Sequence, residues 1–124
     1  MDKENILMRI QDCGVVAVGR AESTEKAERI VDACMEGGVA AIELTFTVPH
    51  ADKVIESLAV KYDPKDIILG AGTVMDAATA RIAMLSGAQY IVSPYLDLET
   101  LKMCNRYRVA MMPGVMTVRE AVMA

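Results

Sequence analysis

The 124-residue sequence contains a single histidine, no CxxC pair, no surplus of basic residues, and no apolar run near the roughly 20 residues that a membrane-spanning helix requires. Each absence closes off a class of function. With 13 lysines and arginines against 17 aspartates and glutamates, the net charge is −4 and the pI near 5.0. That balance offers no basic stripe to nucleic acid and no attraction to an anionic membrane surface. The amino terminus, Met1-Asp2-Lys3-Glu4-Asn5, is charged, and the chain reads as a soluble cytoplasmic protein. Cys13, Cys34 and Cys104 are widely separated, with no histidine cluster to complete a metal site. An odd number of scattered thiols fits a reducing compartment, and each is read as a small buried hydrophobe. His50 follows Pro49 where a helix is expected to start, has no matched serine or cysteine nucleophile, and is read as a solvated cap-region residue.

What is present is enough apolar material for a core. Hydrophobic residues make up 53% of the chain against 24% charged, and the length suits one ordinary domain, 1–124. The ten methionines read as packing. Short apolar runs at Val15–Val18, Ala40–Phe46, Ile67–Leu69, Tyr90–Val92 and Val109–Met112 read as strands. Between them Ala27/Ile30/Val31/Cys34, Val54/Ile55/Leu58, Ala80/Ala83/Met84 and Leu98/Leu101/Met103/Cys104 keep the rhythm of amphipathic helices. Gly37-Gly38 and Gly87 fall where a helix hands over to a strand, and Ser23, Asp76, Asp97 and Thr117 are placed as N-caps. Thr117 and Glu120 have capping-box spacing. The unit recurs every ~20–27 residues, as successive βα units of a parallel α/β protein do.

In such folds chemistry gathers at the carboxyl ends of the strands. Those positions hold Arg20 after the first strand, Glu43, Thr45 and Thr47 on the second, Gly70-Ala71-Gly72-Thr73 after the third, Ser93-Pro94 after the fourth, and Pro113-Gly114 after the fifth. Side chains alternate along a strand, so Glu43, Thr45 and Thr47 share one face of Ala41-Ile42-Glu43-Leu44-Thr45-Phe46-Thr47, a segment that otherwise reads as buried on both sides. A buried carboxylate is costly unless paired, which makes Glu43 a candidate functional group; the alternative is a satisfied structural glutamate. Adjacent parallel strands are about 4.8 Å apart, so Arg20 is within reach of Glu43 and Thr47, where its planar fork suits a carboxylate or phosphate. Its alternative is a surface arginine in a loop. Gly72 lets backbone approach a ligand, and Thr73 adds a hydroxyl and an amide. Gly70-x-Gly72 is not a dinucleotide fingerprint, because Met75 stands where the third glycine belongs.

Four motifs in order and in register, Glu43-Leu-Thr-Phe-Thr-Val-Pro49, Gly70-Ala-Gly-Thr73-Val74, Gly87-Ala-Gln-Tyr-Ile-Val-Ser-Pro94 and Met112-Pro-Gly-Val115, resemble the 2-keto-3-deoxy-6-phosphogluconate / 4-hydroxy-2-oxoglutarate aldolases. The resemblance runs over essentially the whole chain. It implies a (β/α)8 TIM-barrel, here about five βα units of it, and a class I aldolase, usually a homotrimer, without metal or other cofactor. Such an enzyme cleaves a 2-keto-3-deoxy sugar acid phosphate, a small-molecule keto acid, into pyruvate and glyceraldehyde 3-phosphate, with 4-hydroxy-2-oxoglutarate as a further substrate. In that family Glu43 is the general acid/base, Thr73 holds the pyruvate carboxylate and Pro94 lines the pyruvate pocket. Thr45 and Thr47 are placed with them as substrate-binding residues. Some members carry a substrate-binding arginine where this chain has Thr47; Arg20 is expected to supply that charge.

The family's Schiff-base lysine lies on a sixth strand, and the chain is expected to stop before it. Lys3, Lys26, Lys53, Lys61, Lys65 and Lys102 fall at the N-terminus, on helices or before the third strand, none at a strand's carboxyl end. A closed barrel takes at least ~200 residues, so exposed edges are expected on the first and fifth strands. The alternative to an aldolase is a truncated, non-catalytic α/β fragment that binds a keto acid or pairs with another chain.

Overall fold

Strands and helices alternate along residues 2–124, the span that the computed structural model describes. The strands are β1 (Val16–Gly19), β2 (Ala41–Thr45), β3 (Ile68–Gly72), β4 (Tyr90–Ser93) and β5 (Ala110–Pro113). The helices are α1 (Lys3–Cys13), α2 (Thr24–Glu36), α3 (Ala51–Lys61), α4 (Ala77–Leu85), α5 (Leu98–Arg106) and α6 (Val118–Met123). All four strand pairings are parallel, and the sheet order is β1-β2-β3-β4-β5. Strand order following chain order is what right-handed βα crossovers wound in one direction produce; a doubly wound sheet would reverse direction partway.

The caps lie where the sequence places them. Ser23, Asp76, Asp97 and Thr117 each accept a backbone N–H three residues on, and Glu120 returns the favour to Thr117 in a complete capping box. Gly38 and Gly87 take the left-handed conformation, at φ +83° and +109°, that turns each chain out of its helix toward the next strand.

One face of the sheet is the main core. Ile42 and Leu44 of β2, Leu69 and Ala71 of β3, and Ile91 of β4 pack against Val31, Ile55, Leu58, Ala80, Ala83 and Cys104 from α2 to α5. The other face has its own cluster, built on α1, for which the sequence reading has no helix. Asp2 caps it, and Ile6, Leu7, Ile10 and Cys13 form a stripe that lies against Val16, Ala41, Ile68, Tyr90 and Ala110. These lie toward the amino ends of the strands, so α1 closes that end of the face and leaves the carboxyl end open.

Three further expectations change. Gly70 and Gly72 lie inside β3 rather than after it, Ser93 and Pro113 close β4 and β5, and only Cys104 of the three free cysteines is buried, Cys13 and Cys34 being half-buried. β1 and β5 are the sheet's outermost strands, and α6 has no buried residue among the described residues.

Leu58, fully buried at the centre of the helix side, tests the core assignment. Leu58→Ala should cost about 2–5 kcal/mol in urea denaturation. Asp76→Ala, which removes only the α4 cap, should cost about 1 kcal/mol in the same measurement.

Candidate active site

Parity places the polar residues of β2. Ile42 and Leu44 point to the helices, so Glu43 and Thr45 point to the face that α1 partly covers. The register of the sheet then sets Val18, Glu43, Gly70, Tyr90 and Ala110 in one lateral row across five strands.

The middle of that row is empty of side chain, and its neighbours occupy the space. A Cβ at Gly70 would overlap the Tyr90 ring, and a Cβ at Gly72 would overlap the Glu43 carboxyl. The Tyr90 ring therefore lies across β3 over Gly70, while the Glu43 side chain leans forward over Gly72 toward the open carboxyl end. Gly72 serves first to seat Glu43.

Glu43 is 8% exposed and makes no hydrogen bond or ion pair with any described residue. Burial alone pushes its carboxyl above the usual glutamate value. Ionisation thus works against folding: Glu43 contributes stability that is full below the ordinary glutamate range and is lost as pH rises through the higher folded-state value. Tyr90 is fully buried, its phenol is pushed up by burial first and by the charges of Glu43 and Cys13 after, and its hydroxyl has no partner among the described residues.

The remaining predicted residues surround this pair unevenly. Thr45 is buried beside Gly72 and shares a 3.2 Å hydrogen bond with Thr47, which lies beyond the strand in an exposed turn. Thr73, next after Gly72, holds φ +54°, a left-handed backbone rare for a β-branched residue and costly by about 1–3 kcal/mol. Its segment is held by ladder bonds that continue past the strands, Phe46 N–H to the Gly72 carbonyl at 2.8 Å and Val74 N–H to the Val92 carbonyl at 3.1 Å. Pro94 is exposed just past β4, and its carbonyl sits against Gly114, where no Cβ could fit. Arg20 stands apart. It is exposed and lines a groove with Lys26, Arg29, Ile30 and Ala33 of α2, with no hydrogen bond or ion pair to Glu43, Thr45 or Thr47. His50 is exposed at the start of α3 and makes no side-chain cap bond, in keeping with a solvated residue.

Tyr90 is the residue that sequence reasoning missed. Its only signal is an aromatic residue at the start of one strand and a glycine on the strand before it, and the two become neighbours only once the register is known. Among the described residues, no group of three histidine, cysteine or acidic side chains is placed to hold a metal ion, and no helix is long and apolar enough to cross a membrane.

An unpaired, desolvated carboxyl at the open end of a parallel sheet can hold a proton at higher pH than an ordinary glutamate and exchange it with a bound molecule. A structural glutamate would have partners instead.

Known proteins share this architecture. The chain is 32% identical over 106 residues to the 2-dehydro-3-deoxy-phosphogluconate aldolase of Treponema pallidum, covering 86% of this chain and 50% of that protein. It is 34% identical over 110 residues to a probable 2-dehydro-3-deoxy-6-phosphogalactonate aldolase of Rhizobium meliloti, covering 89% and 51%. The chain thus spans about half the length of the curated relatives it matches. Among solved structures, the Zymomonas mobilis ZM4 2-keto-3-deoxy-6-phosphogluconate aldolase with 3-phosphoglycerate superposes with a TM-score of 0.83 at 29% identity, over 98% of this chain and 55% of that one. The Legionella pneumophila KDPG aldolase, with pyruvate captured as a covalent carbinolamine intermediate, gives 0.80 at 28% identity, over 87% and 52%. Those aldolases are (β/α)8 barrels, of which β1 to α6 correspond to five consecutive βα units. With residues 6–124 matching the family model for KDPG and KHG aldolase, the chain belongs to that aldolase family.

Proposed function

We propose that this chain supplies the acid/base half of a class I aldolase site that cleaves 2-keto-3-deoxy-6-phosphogluconate into pyruvate and glyceraldehyde 3-phosphate, with 4-hydroxy-2-oxoglutarate as a second substrate. The observation that carries the reading is Glu43: buried, without a partner, held over Gly72 at the open end of the sheet. In this role Glu43 passes protons during carbinolamine formation and protonates the enamine that cleavage leaves behind. Thr73, whose strained backbone is held by its neighbours, presents its hydroxyl and amide to the pyruvate carboxylate, with Pro94, Thr45 and Thr47 around the same opening. Arg20, just past β1, binds the charged end of the substrate once its side chain swings from the α2 groove toward the opening. The protein is read as cytoplasmic from its composition and charge, and as a homotrimer on its resemblance to the family.

The covalent step needs an amine that these residues do not bring to the site. Lys3 donates to Asn105, Lys26 pairs with Glu22, Lys53 with Glu56, Lys61 with Glu28 and Lys102 with Glu99, all on helices. Lys65 lies beside Arg9 and Cys13, at the amino end of the strands. Without an iminium, the carbanion formed on cleavage has nowhere to delocalise. In this reading the nucleophilic lysine is none of these six.

Two outcomes test the reading. Incubated with pyruvate and borohydride, the 124-residue chain should gain no mass, and an adduct should appear only when a chain carrying the missing strands is supplied. A stable adduct on one of the six lysines would contradict it. In a barrel-complete protein, Glu43→Gln should lower kcat by roughly 10²–10⁴-fold. In the 124-residue chain the same substitution should leave stability at pH 7 equal or higher, because it removes a charge that burial disfavours, and the advantage should shrink as pH falls through the raised folded-state value and be gone below the ordinary glutamate range.

A further inference from the structure

Tyr90 is fully buried, yet its hydroxyl has no hydrogen-bond partner among the described residues. A phenylalanine would fill the same space among Ile6, Ala41, Ile68 and Ala110 without burying a polar group, so the hydroxyl calls for a purpose. The row of the sheet supplies one. Tyr90 and Glu43 flank Gly70 on either side, the ring crosses over that glycine toward β2, and the Glu43 carboxyl, itself unpartnered, leans over the next glycine on the same strand.

We infer that Tyr90 is a positioning residue for Glu43: its hydroxyl, carried across β3 over Gly70, donates through one bridging water to the Glu43 carboxylate. The inference rests on the reading of Glu43 as the acid/base group. Strands are about 4.8 Å apart, so a ring spanning one of them brings its hydroxyl close to the base of the Glu43 side chain. The Tyr90 ring over Gly70 and the Glu43 carboxyl over Gly72 lie over successive inward positions of β3, near enough for the Glu43 charge to act on the phenol, and two polar groups meet the minimum for holding a bridging water. Glu43 would gain a fixed orientation, and a donor to its charged form would offset part of the burial that pushes its pKa up. The other titratable group near the pair is Cys13 of α1, whose thiol lies 3.3 Å from the Val15 carbonyl and is held below its ordinary pKa first by the Ala41 backbone N–H. Arg20 at the end of β1 faces α2 instead, and the rest of the α1 stripe is apolar.

Tyr90→Phe in the 124-residue chain, with Glu43 followed by carbon-13 NMR of its carboxyl through a pH titration, is the test. The Glu43 midpoint should rise by about one pH unit, a tenfold change, with thermal stability not reduced. An unchanged midpoint would overturn the inference whatever happens to stability, since a purely structural tyrosine has no reason to move it. If the variant does not fold, the Tyr90 Cζ shift in the unsubstituted chain decides: it should follow the ionisation of Glu43 and lose that dependence in Glu43→Gln, and a flat response would overturn the inference equally. Both readouts need no substrate. Retained activity of Glu43→Gln in a barrel-complete protein would instead remove the proposed function and leave the coupling standing.

Discussion

Two glycines on one face of one strand set the geometry on which the rest of the site depends. Gly70 and Gly72 of β3 leave a groove in a sheet whose other residues on that face are filled, and the neighbouring strands fill the groove from both sides with Tyr90 and Glu43. Side chains at those two positions would force Tyr90 off the sheet and Glu43 out into the opening. The stripe therefore decides where the carboxyl sits, how dry its surroundings are, and which way it faces. α1 completes the arrangement by covering the amino end of the same face, which leaves the carboxyl end, toward which Glu43 leans, uncovered by it.

That arrangement opposes stability. A carboxyl held without a partner in a mostly apolar setting disfavours its own charged form, and Thr73 holds a left-handed backbone uncommon for its type. Costs of this kind persist where the surrounding structure over-determines them, here through the ladder bonds on either side of Gly72 and Thr73. Elsewhere the chain is conventional: capped helices, left-handed glycines at three helix exits, and a helix-facing core of aliphatic residues. Apolar surface is left at both ends of the sheet, with Val18 of β1 65% exposed and Met116, Val118 and Val122, after β5, above 80%.

The strands, the four later caps and the parity of β2 were legible in the sequence because each depends on neighbours in the chain. Periodicity set Glu43 on the face opposite Ile42 and Leu44, and turn chemistry marked Gly38 and Gly87. α1 escaped notice because its apolar stripe is short and interrupted by charged residues, and it is stabilised by a sheet that the local sequence does not reveal. The role of Gly70 and Gly72 as room for side chains of other strands needed the register, which is a property of pairing rather than of any one segment. The direction of Arg20 is likewise a tertiary outcome: strand-end placement puts it at the opening, but its side chain lies along α2.

The glycine stripe, by seating Glu43 in a partly desolvated groove, raises the pKa of that carboxyl. Gly72→Ala tests it directly, because the new Cβ meets only the flexible end of Glu43 and the fold should survive. A pH titration of the Glu43 carboxyl should show a midpoint above the ordinary glutamate value in the unsubstituted chain and a return toward that value in Gly72→Ala, where the carboxyl is pushed into the open end. Identical midpoints in the two chains, or an ordinary value in the unsubstituted one, would contradict the account.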